Sequence, residues 1–387
     1  MPSLMLLIKP VSSNCNMRCR YCFYTDTAKH RATPSYGVMS LPTMENVVKK
    51  ALAASNRQCT FAFQGGEPTL AGLDFYKAFT GVVNRHNHKQ LQVQYAIQTN
   101  GNSIDRDWAA FLAAHHFLVG VSLDGTRDIH DLYRRDTAND GTFSNVKHST
   151  QLFDYYGVDY NILTVVTAQA AKNIDKTYRF FGRNQFLFQQ YIPCLDPIYE
   201  EHGRHDYSLT PALYGEFLCA LFDLWYSDFI RGKWVSVQYF DNLLQMIMGY
   251  PPESCGMAGQ CSRQIVVEAD GGVYPCDFYV LDEFRLGNLN YDTFSQIEKT
   301  RKAIGFIETS QQISQQCKGC RWLFLCRGGC RREREPLVQS NLSSNYFCQS
   351  YLRFFNYTYP RLKTCAAYYK SHMICDQKQI ERCGYEL

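Results

Sequence analysis

The sequence predicts an α/β fold in which a partial (β/α)6, TIM-like barrel precedes a smaller cysteine-rich domain. Short apolar segments alternate with segments whose apolar residues recur at helical spacing, a pattern typical of βαβ units and a parallel sheet. Polar turns follow the apolar segments. From Cys255 onward cysteine and glycine become frequent and the apolar segments shorten, which indicates a second kind of structure.

The first half of the chain accounts for the barrel. Helical spacing is clearest in 41–55 and 105–116, which lie between predicted strands. In such a barrel the chemistry sits at the carboxyl ends of the strands. Polar sequences follow the first four strands, so we expect the site there. Six segments are the predicted strands: 4–10, 59–65, 91–99, 117–125, 159–167 and 186–193.

The second half begins with a helical, aromatic stretch over 207–250. The sequence VVEADGGVYPCD then predicts a hairpin with an Asp-Gly-Gly turn. We place the boundary between the two parts within 235–254. The predicted domains are therefore the barrel, 1–234, and a bridge, cysteine-rich domain and tail, 235–387.

Composition narrows the class of protein. The chain has 387 residues, 45% of them hydrophobic and 20% charged, as in ordinary globular proteins. A net charge of +4 gives no reason to infer a nucleic-acid or membrane partner. The apolar stretch LMLLI near the start is too short for a signal peptide, so we expect a cytoplasmic protein. In such a compartment, 17 cysteines indicate metal binding or catalysis rather than disulfides.

The first cysteine group, CNMRCRYC, contains Cys15, Cys19 and Cys22. A structural zinc site normally has four protein ligands. A 4Fe–4S cluster also takes four thiolates, so three would leave one iron open to a small molecule. A zinc knuckle is the alternative that the spacing alone leaves open.

The second cysteine group is large enough for two closed four-ligand sites. Two iron–sulfur clusters would use eight thiolates in total, and so would two structural zinc sites. The cysteine spacing does not distinguish these two possibilities. We expect the other six cysteines (Cys59, Cys194, Cys219, Cys365, Cys375 and Cys383) to be small apolar side chains without ligand roles. The eight thiols are Cys255, Cys261, Cys276, Cys317, Cys320, Cys326, Cys330 and Cys348.

The C-x3-C-x2-C spacing, with an aromatic before the third cysteine, resembles the radical S-adenosylmethionine (SAM) superfamily. QGGEP at 64–68 is similar to that family's Gly-Gly-Glu-Pro element. The resemblance implies that the open iron binds SAM and that the backbone at Gly66 receives the SAM amino group. It also implies adenine contacts from Tyr21 and Leu195, a ribose contact from Ser122, and a carboxylate contact from Arg134.

The later cysteines resemble the SPASM extension found behind many radical SAM barrels. That resemblance implies two auxiliary 4Fe–4S clusters, and with the open-iron cluster the cofactors would be SAM and three 4Fe–4S clusters. The implied nearer set is Cys255, Cys261, Cys276 and Cys330. The implied distal set is Cys317, Cys320, Cys326 and Cys348.

Longer stretches resemble the anaerobic sulfatase-maturating enzymes, among them LLIKPVSSNCNMRCRYCFY, CLDPIYEE and VYPCDFYVLDEFRLGN. This implies oxidation of a cysteine, or of a serine, in a sulfatase to Cα-formylglycine. Asp277 matches the family's general base, and Tyr24 and Gln64 would contact the substrate. The implied partners are a sulfatase polypeptide with a Cys/Ser-x-Pro/Ala-x-Arg motif and an electron donor such as flavodoxin or ferredoxin.

Two other functions use many of the same features. A SPASM maturase that forms a thioether or carbon–carbon crosslink would share SAM and all three clusters. A non-catalytic iron–sulfur electron carrier or a zinc-binding module would have no use for an open iron, for Arg134, or for the glycine turn at 65–66. The Asp277 match favours the sulfatase-maturating function.

Overall fold

A computed structural model describes residues 3–334 and 344–382 of the chain. Its centre is a single ten-stranded sheet that does not close on itself. The strands are β1 (Ser3–Ile8), β2 (Gln58–Phe63), β3 (Gln92–Thr99), β4 (Phe117–Ser122), β5 (Tyr160–Val166), β6 (Phe188–Pro193), β7 (Ser236–Val237), β8 (Val266–Val267), β9 (Gly272–Tyr274) and β10 (Gly287–Asn288).

The six predicted strands are confirmed as β1 to β6. Each pairs in parallel with the next in sequence, and the short β7 continues the parallel series beside β6. Their carboxyl ends therefore meet at one rim of the sheet. This is the predicted partial barrel.

Helices connect the strands. The predicted helices over 41–55 and 105–116 are confirmed as α2 and α4, which begin at the caps Ser40 and Asp105. The helices are α1 (Phe23–Lys29), α2 (Leu41–Ala54), α3 (Leu73–His86), α4 (Arg106–Ala114), α5 (Arg127–Tyr133), α6 (Phe143–Tyr156), α7 (Ala168–Lys172), α8 (Ile174–Arg183), α9 (Pro211–Ile230), α10 (Gln238–Ile247), α11 (Phe294–Ala303), α12 (Phe306–Ser310), α13 (Gln315–Lys318), α14 (Leu323–Cys326) and α15 (Cys348–Arg382).

The predicted hairpin is confirmed as β8 and β9, which are antiparallel and turn at a glycine with φ of +85°, Gly271. The hairpin also joins the barrel. β8 pairs in parallel with β1, so that Ile8 has Phe63 on one side and Val267 on the other. The sheet thus runs across the predicted boundary at 235–254, and the division into 1–234 and 235–387 stays a prediction.

One hydrophobic core joins the two parts of the chain, because buried side chains of β1 and β2 pack in the same cluster as those of β8 and β9. Successive side chains of a strand point to opposite faces of the sheet. On the strands nearest the site, Leu6, Ile97 and Val121 are buried in this core, whereas Gln98 and Ser122 line a cavity at the rim.

Helix α15 packs along α9 through aromatic contacts and an ion pair between Arg361 and Asp223 of 2.7 Å. Cys365, on α15, is fully buried, as expected for a cysteine without a ligand role. Cys383 and the side chain of Cys375 lie outside the described part of the chain. Among the described helices, α9 and α15 included, none is long and apolar enough to cross a membrane.

Candidate active site

A cavity of about 520 Å³ opens at the carboxyl ends of the strands, between the barrel and the cysteine-rich region. Loops from both parts of the chain reach it. Most of the predicted site residues line it, and only the distal cysteine set does not. Those that line it are Cys15, Cys19, Tyr21, Cys22, Tyr24, Gln64, Gly66, Ser122, Arg134, Leu195, Cys255, Cys261, Cys276, Asp277 and Cys330.

The loop after β1 brings Cys15, Cys19 and Cys22 together on one side of the cavity. Burial raises the pKa of Cys19 to about 12, Arg134 lowers it, and Cys22 and Cys15 raise it further. The three sulfur atoms are thus within electrostatic reach of each other. All three thiols are partly exposed and free of disulfides, a donor set that fits a cluster with one open iron.

The turn at 65–66 is packed directly against this loop. The backbone N–H of Gly66 donates to the Ser12 carbonyl at 3.0 Å. A Cβ on Gly66 would lie 2.0 Å from the carbonyl oxygen of Asn14. Only glycine fits here, because the cysteine loop and the turn touch through their backbones.

Glu67, the next residue, is fully buried and was not among the predicted site residues. Its carboxylate accepts hydrogen bonds from the Thr99 hydroxyl at 2.8 Å and from the backbone N–H of Asn100 at 2.7 Å. Asn100 in turn places its amide nitrogen 3.7 Å from Cys15 Sγ. Glu67 therefore joins the ends of β2 and β3 beneath the cysteine loop.

Arg134 is buried at 7% exposure, which excludes a solvated surface charge. Its Nε donates to Asp124 Oδ2 at 3.0 Å, and the Tyr21 hydroxyl donates to the same oxygen. Nη1 lies 4.0 Å from Cys19 Sγ. Asp124, which the sequence reasoning missed, thus holds Arg134 and Tyr21 beside the cysteine loop; its position two residues after Ser122 was the available signal.

Asp277 follows Cys276 in a short 3-10 turn over Asp277–Tyr279 and is 7% exposed. Its Oδ2 accepts hydrogen bonds from the Tyr24 hydroxyl at 2.6 Å and from Gln64 Nε2 at 2.8 Å. Its Oδ1 is buried and has no hydrogen-bond partner among the described residues. Burial raises the pKa of Asp277, while Lys9 and the Tyr24 hydrogen bond lower it. Three predicted residues therefore form one hydrogen-bonded group.

Behind this group lies a buried ionic network that the sequence reasoning missed. Lys9 Nζ lies 3.7 Å from Asp277 Oδ1 and 3.7 Å from Glu268 Oε1. Arg31 Nη1 lies 2.9 Å from the same oxygen of Glu268, and the Ser12 hydroxyl donates to the other. The signal was a lysine at the end of an apolar strand, in LLIKP.

The implied nearer cysteine set also lines the cavity, with Cys255, Cys261, Cys276 and Cys330. Burial raises the pKa of Cys330, and the thiols of Cys255 and Cys261 add to the increase. Burial also raises the pKa of Cys276, with Cys330 and Cys261 contributing. The four thiols thus form one group.

The implied distal set, Cys317, Cys320, Cys326 and Cys348, forms a second group away from the cavity. Burial raises the pKa of Cys326 to about 12, with Cys348 and Cys317 contributing, and Cys317 and Cys320 raise that of Cys348 after burial. Among the described residues, no group of three or more His, Cys, Asp or Glu side chains is placed to hold a single metal ion.

Two family profiles match the chain. The radical SAM superfamily matches residues 10–181, and the SPASM iron–sulfur cluster-binding domain matches residues 255–321. These ranges include the open-iron cysteines and the first five cysteines of the second group. The predicted radical SAM barrel with a SPASM domain is confirmed.

The chain is similar over nearly its whole length to curated proteins. It is 49% identical to the cysteine-type anaerobic sulfatase-maturating enzyme of Clostridium perfringens, over 94% of this chain and 98% of that protein. It is 31% identical to the serine-type enzyme of Bacteroides thetaiotaomicron, over 92% and 90%. The solved structure of native anSMEcpe with bound AdoMet and Kp18Cys peptide superposes with a TM-score of 0.91 at 49% identity, covering 95% of this chain and 99% of that one.

Proposed function

The chain belongs to the anaerobic sulfatase-maturating enzymes, and on that premise we propose that it oxidises a specific cysteine of a sulfatase to Cα-formylglycine. The relatives named as cysteine-type are closer in sequence than those named as serine-type, at 49% against 31% identity. This difference supports a cysteine substrate. The proposed partner is a sulfatase polypeptide with a Cys-x-Pro/Ala-x-Arg motif, encountered in the cytoplasm.

The residues present fit SAM and three 4Fe–4S clusters. Cys15, Cys19 and Cys22 would hold the open-iron cluster, and the nearer and distal sets would hold the auxiliary ones. When bound, the open-iron cluster and SAM would supply a carbon radical for removal of one hydrogen atom from the substrate Cβ, and the auxiliary clusters would supply a redox centre for the electron left behind. The chain itself must bind SAM, orient the peptide and take a proton.

SAM binding is assigned to the barrel side of the cavity. Arg134, held by Asp124, has the fork geometry that suits a carboxylate. Gly66 allows the backbone to approach the SAM amino group, and Ser122 lies at the end of β4 for the ribose. Tyr21 and Leu195 supply apolar surface for the adenine.

The proton is assigned to Asp277, and its geometry is the observation that carries the proposal. Tyr24 and Gln64 hold Oδ2, whereas the buried Oδ1 accepts no hydrogen bond among the described residues and has the Lys9 ammonium group 3.7 Å away. A carboxylate oxygen that accepts no hydrogen bond can take the substrate thiol proton when the thiol comes within hydrogen-bond distance. Loss of that proton makes the Cβ radical more reducing. The thioaldehyde that remains after electron loss is hydrolysed to the aldehyde.

Mass spectrometry of a sulfatase-derived peptide tests this proposal. The reconstituted protein is incubated without oxygen with SAM, a chemical reductant and a peptide containing Cys-x-Pro-x-Arg. We expect the peptide to lose sulfur, gain an aldehyde that reacts with a hydrazine, and yield deoxyadenosine in parallel. A thioether or carbon–carbon crosslink without an aldehyde would replace this function with the crosslinking alternative. No deoxyadenosine from protein with all clusters loaded would exclude both.

A further inference from the structure

The segment that carries the distal cysteines has an unusual charge pattern. Three distal cysteines (Cys317, Cys320 and Cys326) and Cys330 of the nearer set are each followed directly by a cation, and no Asp or Glu occurs between Glu308 and Glu333. The last of these cations, Arg331, is buried, whereas the others reach the surface or are half-buried. Those three are Lys318, Arg321 and Arg327.

An exposed aromatic pair lies in the same region as these cations. Phe324 is 49% exposed and lies 5.8 Å, centroid to centroid, from the Tyr359 ring of α15. Lys363 Nζ lies 5.1 Å above that ring. We define the basic patch as Lys318, Arg321, Phe324, Arg327, Tyr359 and Lys363.

The four cations of the patch have no ion-pair partner among the described residues. Among the described residues, no carboxylate lies within ion-pair distance of any of its four cations, whereas surface cations elsewhere do have such partners. Lys49, for example, lies 2.8 Å from Glu45, and Lys176 lies 2.7 Å from Asp128. Unpaired cations around an exposed aromatic ring are typical of a surface that binds an acidic protein.

The patch lies over the distal cysteine set. Lys318, Arg321 and Arg327 are the immediate neighbours of Cys317, Cys320 and Cys326, and the distal set lies away from the substrate cavity. A cluster held there would be the redox centre nearest to this surface. The whole chain carries only +4, so the positive field is local to that centre and does not favour a nucleic acid as the ligand.

We propose that the basic patch is the docking face for a small acidic one-electron carrier protein. The cluster on the distal cysteines, once it holds the electron left by the substrate, loses that electron and the bound carrier gains it; no bond is formed or broken. This inference rests on the proposed function, because it requires the distal set to hold a cluster. It assigns a surface to the electron acceptor, which the proposed function needs and does not locate.

Binding of an acidic flavodoxin to the cluster-loaded enzyme tests the inference. The patch variant is Lys318→Glu with Lys363→Glu, and the matched control is Lys49→Glu with Lys176→Glu, which makes the same change in residue type and net charge. Surface plasmon resonance without oxygen gives the Kd at several salt concentrations. We expect the patch variant to bind at least about tenfold more weakly at low salt and to lose most of the salt dependence. The control should bind like the unmodified protein.

A second variant and a second assay keep the outcomes distinct. Phe324→Ala should weaken binding of the carrier while leaving the salt dependence of the Kd intact. Iron and sulfide content shows whether each variant has loaded its clusters. If the charge variant has not, Phe324→Ala still tests the docking face. Equal Kd values for patch variant and control, or for Phe324→Ala and the unmodified protein, would overturn the docking face. Formylglycine synthesis by unmodified protein with a chemical reductant tests the proposed function separately, because it needs no carrier.

Discussion

Replacing Asp277 by asparagine isolates proton transfer from the rest of the reaction. The two side chains have nearly the same shape. Tyr24 and Gln64 both donate to Oδ2, so the asparagine oxygen is expected to occupy that position. Its NH2 group then takes the place of Oδ1, near Lys9 Nζ. A hydrogen-bond donor, the asparagine NH2 group, then replaces the acceptor Oδ1, so this position can no longer accept the substrate thiol proton.

The expected magnitude follows from this geometry. Loss of a positioned general base slows the chemical step by about 10²- to 10⁴-fold. Formylglycine formation should fall by that factor, while deoxyadenosine release from SAM should stay near that of the unmodified protein. Both products are measured in one anaerobic reaction, the peptide by mass spectrometry and deoxyadenosine by liquid chromatography.

The ratio of the two products decides the role of Asp277. Equal loss of both would mean that the variant damages SAM binding or the clusters rather than proton transfer. An unchanged rate of formylglycine formation would remove Asp277 from the base role. Tyr24→Phe is the control, because it removes one of the two donors to Oδ2 and leaves Oδ1 unchanged; its effect on formylglycine should be smaller than that of Asp277→Asn.

Three further substitutions test other parts of the site. Cys15→Ala should abolish deoxyadenosine formation and lower bound iron by about one third, as expected for loss of one of three 4Fe–4S clusters; normal turnover would refute its ligand role. Gly66→Ala places a Cβ against the Asn14 carbonyl, so the free energy of unfolding should fall by about 3 kcal/mol in urea titrations, and an unchanged midpoint would show that the turn can move. Lys9→Met removes a partner of the buried Glu268 and should cost about 3 to 5 kcal/mol by the same titration; a neutral result would mean that Arg31 alone compensates that carboxylate.

The sheet could be predicted from the sequence because its pattern is local. β1 to β6 are apolar segments with turn residues at their ends, and α2 and α4 carry both helical periodicity and a cap. The cysteine ligand sets could not be predicted from a local pattern in this way. Cysteine spacing alone left zinc and iron–sulfur sites open, and only the resemblance to a known family divided eight thiols into two groups. The division into two groups stays a prediction, which the mutual effects of neighbouring thiols on the pKa values of Cys276 and Cys326 support.

The buried ionic residues could not be predicted because their partners are distant in sequence. Glu67 receives hydrogen bonds from residues 32 and 33 positions away, and Glu268 contacts Lys9 across the whole barrel. A single Glu or Lys carries no periodic signal that distinguishes it from a surface charge. Such a residue is distinguished by its position at the end of an apolar strand. A charge buried there is stable only when it is paired with another group inside the protein.

The position of β1 explains why the Asp277 carboxylate, on the cysteine-rich side, is aligned with residues of the barrel. β1 lies between β2 and β8, and its next residue is Lys9, whose ammonium group lies between Glu268 and Asp277. A slip of one residue in either pairing would turn Lys9 to the opposite face of the sheet. The registers of β1 therefore determine where Asp277 sits relative to Tyr24 and Gln64. A barrel separated from its hairpin would retain those two donors but have no Asp277 carboxylate to accept from them, so the proposed base and its donors depend on one continuous sheet.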